Sequence, residues 1–292
     1  MQETSHSRSM ETVHDLSGIR QKVNALKNQG KSIALVPTMG NLHEGHLSLL
    51  QHARTIADCS MASIFVNPIQ FGKGEDYERY ASTLEEDSRK LIECGLDVLF
   101  APDLKQLYPG GINTDTRVTV PEISNILCGE YRPGHFSGVT TVVTKLLINI
   151  QPDFALFGEK DYQQLLIIKR MVKDLCMPVE IIGMPIVREP DGLAMSSRNS
   201  YLNAEQRKQA PVIYQTLQIA AEKLVQNADD IPTIEAEAME SLENAGFRPE
   251  YLSIRSTSDL NEPRAGERRL SILVAAWLGS ARLIDNIKVS LD

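Results

Sequence analysis

From Ile33 to Val187, short apolar runs alternate with segments whose apolar positions recur every three or four residues. The runs predict strands over 32–36, 61–66, 97–101, 154–157 and 179–187. The intervening segments predict helices over 46–57, 83–93, 137–150 and 162–176. In the first of these, Leu47, Leu50, Ala53, Ile56 and Ala57 form an apolar stripe at helical spacing. Asn67-Pro68 marks a turn after the second strand, and Gly95 closes the helix over 83–93. The segment 137–150 is rich in β-branched residues, which predicts a buried helix more than a strong helix former. Strict alternation of strand and helix implies a parallel sheet with right-handed crossovers.

After Arg188 the pattern changes. The loop Glu189-Pro190-Asp191-Gly192 leads into predicted helices over 204–226 and 233–244, then strands over 251–255, 270–278 and 282–289. The fold class expected is therefore α/β: a Rossmann-like parallel sheet with helices on both faces, plus a smaller C-terminal α+β domain. The boundary is expected at 187/188, with 188–292 acting as a lid. No long linker, internal repeat or low-complexity segment interrupts the chain.

Composition narrows the function classes. A length of 292 residues suits two domains, and 42% hydrophobic with 23% charged residues is ordinary for a globular protein. The net charge of −8 argues against a broad nucleic-acid-binding surface. No apolar run approaches the roughly 18 residues that span a bilayer, so no membrane partner is expected. The N-terminal MQETSHSRSM lacks the apolar stretch of a signal peptide and predicts a disordered extension over 1–10, with Met10 an alternative start. Cys59, Cys94, Cys128 and Cys176 are scattered without a CxxC pair, which suits buried or semi-buried thiols in a reducing cytoplasm and disfavours disulfide or zinc use.

The chemistry concentrates at three junctions. Pro37-Thr38-Met39-Gly40-Asn41-Leu42-His43-Glu44-Gly45-His46 follows the first strand, where an α/β sheet binds ligands and a helix start offers N–H groups to phosphate. His43 and His46 would share one face there, and Gly45 would let a flat group approach. Two histidines making structural hydrogen bonds is the plainer alternative. Zinc is disfavoured, since no third ligand lies at metal spacing. Gly158-Glu159-Lys160-Asp161 repeats the strand–glycine–charge–helix arrangement: Lys160 offers phosphate a point charge, and Asp161 caps the helix or holds a metal. Gly192-Leu193-Ala194-Met195-Ser196-Ser197-Arg198-Asn199 suits a mobile phosphate clamp. The amides of Asn67, Gln70 and Gln164 are candidates for orienting hydroxyl and carboxylate groups. The run Glu85-Glu86-Asp87 reads as a solvated helix face.

Together these motifs resemble the nucleotidyltransferase superfamily with its HxGH and KMSKS-type signatures. In detail, VPTMGNLHEGHLSLL, FVNPIQFG, GEKDYQQL, DGLAMSSRNSYL and RLIDNI resemble the pantoate–β-alanine ligase family, in order, over roughly residues 12–289. The resemblance implies ATP-dependent condensation of (R)-pantoate with β-alanine to pantothenate, releasing AMP and pyrophosphate, with Mg²⁺ and a homodimer. It implies an ATP site at Met39 to His46, extended on the chain by Pro37 and Thr38, and completed by Gly158 to Asp161, Val187 and Met195 to Arg198. His46 would be the proton donor, with His43, Lys160 and Arg198 on the phosphates. Gln70 would bind pantoate and lie near β-alanine, while Gln164 would hold pantoate. The MSSR loop lacks the lysines of KMSKS, which disfavours a tRNA synthetase, and Trp277 stands where the family pattern suggests arginine. Two other readings are an adenylyltransferase of coenzyme synthesis and a non-catalytic nucleotide-binding protein.

Overall fold

The computed structural model describes residues 10–72, 75–79, 83–228 and 230–291. The expected N-terminal extension lies, up to residue 9, outside the described residues. In chain order the elements are β1 (Glu11–Val13), α1 (Leu16–Asn28), β2 (Ile33–Thr38), α2 (Glu44–Ile56), β3 (Cys59–Ile64), α3 (Leu84–Glu93), β4 (Val98–Phe100) and α4 (Leu104–Leu107). There follow α5 (Cys128–Tyr131), α6 (His135–Ile150), β5 (Phe154–Gly158), α7 (Tyr162–Asp174), β6 (Glu180–Met184), α8 (Ala204–Gln209), α9 (Val212–Gln226), α10 (Ile231–Asn244), β7 (Arg248–Ser256), β8 (Arg269–Leu278) and β9 (Ala281–Ser290).

The chain divides into two compact units, neither of them one continuous stretch. The first comprises Met1–Val120, Gly134–Phe157 and Ile168–Met184; the second comprises Pro121–Pro133, Gly158–Ile167 and Pro185–Asp292. A single cut at 187/188 therefore does not describe the division. Two earlier pieces, including the Gly158–Asp161 turn, belong with the C-terminal sheet.

In the first unit six strands form one sheet in the order β1-β4-β3-β2-β5-β6, parallel through the registers Ile33↔Cys59, Ala34↔Phe154 and Met61↔Val98. Ala34 and Val36 pack with Leu49, Leu50 and Ala53 of α2 and with Leu91 of α3. Ile33 and Leu35, equally buried, point to the opposite face by the two-residue period of a strand, where α6 meets β2. Burial on both faces explains why β2 is a continuous apolar run. The strand order reverses at β2, between β3 and β5, and such switch points are where open α/β sheets bind ligands.

The second unit is built on the antiparallel sheet β7-β8-β9. Its core joins Ile213, Leu217, Ala220 and Leu224 of α9 with Ile234, Ala238 and Leu242 of α10 and Leu252, Ile272, Val274 and Leu283 of the strands. Trp277 lies directly across from Arg248 on one side and Arg282 on the other. Its indole N–H donates to Glu250 (2.6 Å), which also takes two of the Arg282 bonds, so flanking arginines supply the cations around the tryptophan. The four cysteines are free thiols; Cys59 and Cys128 are buried and Cys94 half-buried, but Cys176, just past the end of α7, is exposed, contrary to the expectation of burial. Among the described residues, no helix is long and apolar enough to cross a membrane.

Candidate functional site

In the first unit, β2 runs two residues further than its apolar pattern predicts, through Pro37 and Thr38. Thr38 Oγ1 donates to the Ser63 carbonyl (2.8 Å) and accepts from Gly40 N–H (3.2 Å), tying the strand end to β3. The next residues need unusual backbone: Gly40 has φ 84° and Asn41 φ 55°. A Cβ on Gly40 would stand 2.9 Å from Asp87 Oδ2, so glycine is required for space as well as conformation.

Asp87 is the residue that sequence reasoning misplaced. It is fully buried on α3, although its neighbours Glu85 and Glu86 are exposed as a solvated face should be. Its carboxylate accepts from Asn41 N–H, Leu42 N–H and Thr83 Oγ1, each at 2.8 Å. One turn on, Lys90 Nζ donates to the Leu42 carbonyl (2.8 Å). The loop before the histidines is thus held at both its N–H and C=O groups.

Helix α2 starts at Glu44, two residues earlier than predicted, so His43 is its N-cap and His46 its third residue. His43 Nδ1 accepts from Gly45 N–H (3.2 Å), and His46 Nδ1 accepts from His43 N–H (3.4 Å). Their ring centroids are 4.1 Å apart. The plainer alternative, structural hydrogen bonding, is therefore true and does not exclude function. An Nδ1 that accepts has no proton, which puts the proton of each neutral ring on Nε2. The capping box thereby selects the tautomer that presents an Nε2–H donor.

Gln70 and Asn67 follow β3. Asn67 is completely buried, and its amide donates to Gln70 Oε1 (3.1 Å) and the Gly138 carbonyl (3.1 Å) while accepting from Tyr108 Oη (2.9 Å). In this arrangement it orients Gln70. Gln70 Nε2 also lies 3.0 Å from Met39 Sδ, and the Gln70 main-chain carbonyl meets His135 Nδ1 at 2.7 Å. A Cβ on Gly138 would fall 2.7 Å from the Gln70 backbone, so helix α6 approaches this close only through glycine. Burial pushes the Tyr108 phenol up to about 12, keeping it protonated as the donor to Asn67.

In the second unit, Gly158 leads into a 3-10 turn over Glu159–Asp161 that passes directly into α7. The turn has no side-chain cap at Gly158. Instead Asn286 Nδ2 donates to the carbonyls of Glu159 (2.9 Å) and Lys160 (3.0 Å), and Lys288 pairs with the Glu159 carboxylate (2.7 Å). Asp161 is exposed at the end of the turn. The two glutamines of α7 divide their work. Gln163 is buried, receiving Cys128 N–H (3.1 Å) and donating to the carbonyls of Ile123 (2.8 Å) and Ile126 (2.7 Å). Gln164 is only half-buried.

Val187 and Met195 face each other across a short hairpin, with Met195 N–H donating to the Val187 carbonyl (3.0 Å). Strand β6 ends at Met184 because the chain then enters this hairpin. Ser196 caps the following 3-10 turn, its Oγ accepting from Arg198 N–H (3.3 Å), so one serine of the predicted clamp is a backbone device. Ser197 and Arg198 lie on that turn, half-buried. Arg188, not anticipated, stacks 3.6 Å from the Tyr214 ring centre and grips Asp285 with two bonds (2.6 and 3.0 Å). Burial pushes the Asp285 carboxyl up, and Arg188 pulls against that shift. The sequence sign of these supports was the RLIDNI segment, which places the polar pair Asp285-Asn286 inside an apolar strand.

Among the described residues, no group of three or more His, Cys, Asp or Glu side chains could by itself hold a metal ion. A magnesium ion carried by nucleotide phosphates needs only one or two protein carboxylates, and the exposed Asp161 beside Lys160 fits that lesser demand.

The family model for pantoate–β-alanine ligase matches residues 11–288. A pantothenate synthetase from Pseudomonas aeruginosa is 51% identical over 97% of this chain and all of its own length, and one from Azotobacter vinelandii is 51% identical over 97% and its full length. The crystal structure of a pantothenate synthetase from Thermus thermophilus superposes with a TM-score of 0.88 at 44% identity, covering 95% of this chain and 99% of that one. A pantoate–β-alanine ligase from Francisella tularensis, solved with β,γ-ATP and β-alanine, gives a TM-score of 0.81 at 36% identity over 96% and 97% of the two chains.

Proposed function

We propose that this chain, which belongs to the pantoate–β-alanine ligase family, condenses (R)-pantoate with β-alanine at the expense of ATP and forms pantothenate. A carboxylate is a poor electrophile. In this reading a pantoate carboxylate oxygen attacks the α-phosphorus of ATP, the bond to the pyrophosphate oxygen breaks, and pantoyl adenylate forms. The neutral amine of β-alanine then attacks the acyl carbon, the acyl–oxygen bond breaks with its electrons on AMP, and the amine loses its proton.

The residues divide along these steps. His43 and His46, with Nε2–H donors fixed by the capping box, stabilise charge developing on the phosphates, and His46 is the proton donor. Lys160 and Arg198 contribute fixed positive charge. Pro37 to Leu42, Glu44, Gly45, Gly158, Glu159, Val187 and Met195 to Ser197 line the nucleotide. Gln70, oriented through Asn67, and Gln164 bind pantoate. Asp161 would offer a carboxylate to Mg²⁺ carried by ATP, and the ion would supply positive charge to the leaving pyrophosphate. A homodimer acting in the cytoplasm completes the proposal.

The observation that carries this reading is the histidine capping box. It pre-sets two donor tautomers at the carboxyl end of β2, beside the point where strand order reverses. The test is pyrophosphate exchange into ATP. It should depend on pantoate and need no β-alanine, and the complete mixture should release free AMP with pantothenate. Exchange without pantoate, or AMP retained in an organic product, would overturn the reading.

A further inference from the structure

We propose that Asn286 is a positioning residue for Lys160, acting on the phosphate-binding turn from the far end of the chain. The inference rests on the reading that Lys160 binds the ATP phosphates.

The Glu159–Asp161 turn is uncapped by its own side chains, and a three-residue 3-10 turn is a weak structure by itself. The two hydrogens of Asn286 Nδ2 fasten the carbonyls on either side of the Lys160 α-carbon, at Glu159 and at Lys160. Asn286 is 3% exposed, so these bonds are made away from water and water cannot simply replace the amide. The Lys160 ammonium makes no hydrogen bond or ion pair among the described residues, and Asp285 feels its charge only at longer range, so the backbone bonds from Asn286 chiefly fix its place.

The support is itself anchored. Asp285 and Asn286 are consecutive on β9, so they face opposite sides of the sheet, yet both are buried. On one side Asp285 holds Arg188 and also accepts Asn286 N–H (2.8 Å). On the other side Asn286 holds the lysine turn. Arg188 heads the hairpin that leads to Met195–Arg198, with a further bond to the Gly192 carbonyl (3.0 Å). One dipeptide of β9 therefore sets two phosphate-directed segments of the second unit relative to each other.

The test compares Asn286→Ala and Asn286→Asp with Lys160→Ala, using pantoate-dependent pyrophosphate exchange, Mg·ATP affinity by calorimetry and thermal unfolding. Asn286→Asp keeps the shape while removing both donors, so the test stands if the cavity in the alanine variant prevents folding. Each Asn286 variant that folds should lower the maximal exchange rate roughly 10- to 100-fold, the scale of a misplacement of about 1 Å. KM for pantoate should stay within about twofold, and Mg·ATP should bind several-fold more weakly. Added to Lys160→Ala, either change should alter Mg·ATP affinity by less than about twofold, because its effect passes through the lysine. Lys288→Ala, which removes only the exposed pair on the same turn, should stay within about twofold throughout. Exchange near normal in Asn286→Asp, or full additivity with Lys160→Ala, would refute the positioning role. Normal exchange and affinity in Lys160→Ala would instead refute the phosphate reading beneath it.

Discussion

The histidine turn of the first unit closes on itself, whereas the lysine turn of the second is held by a strand 126 residues further along the chain. His43 and His46 close the turn within three residues, their Nδ1 atoms accepting from the Gly45 and His43 N–H groups that the helix start would otherwise leave to water. Glu159–Asp161 makes no such cap and depends on the two carbonyl bonds from Asn286. The first arrangement couples the donor tautomer to local folding. The second lets the position of a cation be set by a different part of the unit. Both deliver positive or donor groups to a helix start, by local bonding in one case and tertiary bonding in the other.

The sharpest way to break the comparison is His46→Ala. It removes both the proposed donor and one half of the capping box, so pantoate-dependent exchange should fall by about 10²–10⁴-fold, while the lost cap costs only about 1 kcal/mol in denaturant unfolding. A stability loss as large as the activity loss would mean that the histidine is chiefly structural.

Asp285→Ala tests the remote arrangement. It leaves the Arg188 guanidinium without its buried partner, which should cost about 3–5 kcal/mol in urea unfolding. A cost below about 1 kcal/mol would show that β9 does not anchor the second unit's segments.

The smallest effect is expected at Tyr108, where the first unit also relies on a distant bond. Tyr108→Phe removes the hydroxyl donor to Asn67 and should cost about 1 kcal/mol, measured in the same way. The wild-type phenol keeps its proton up to about 12, whereas an unfolded tyrosine loses it near its ordinary value of about 10. The native state therefore binds more protons in that interval, and stability falls as pH rises from about 10 to 12. The phenylalanine variant should show a shallower fall, and an unchanged slope would contradict the assignment.

Legibility followed the range of the interactions. The strand-to-helix junctions at His43 and Gly158 were readable because hydrophobic period and glycine placement are local signals. The antiparallel strands were readable too, from apolar runs such as Leu270–Leu278, here within β8 at Arg269–Leu278. Asp87 was not, because one buried carboxylate in an acidic run looks like its solvated neighbours until the loop it serves is folded against it. Gln163 and Gln164 are identical in type and adjacent, and only the roughly 100° step of a helix assigns one to the core and one to the candidate site. The second unit's capture of Pro121–Pro133 and Gly158–Ile167 left no composition signal at all.

By itself, then, the sequence determined the alternating α/β plan, the family and the location of the two histidines, since period, turn chemistry and motif order depend on neighbours along the chain. Tertiary structure alone decided that Asp87 is buried, that Asn67 serves Gln70, and that Asn286 holds the lysine turn. Those outcomes turn on which buried polar groups meet, and an unsatisfied buried group is costly enough that the folded chain, not local preference, selects the pairs.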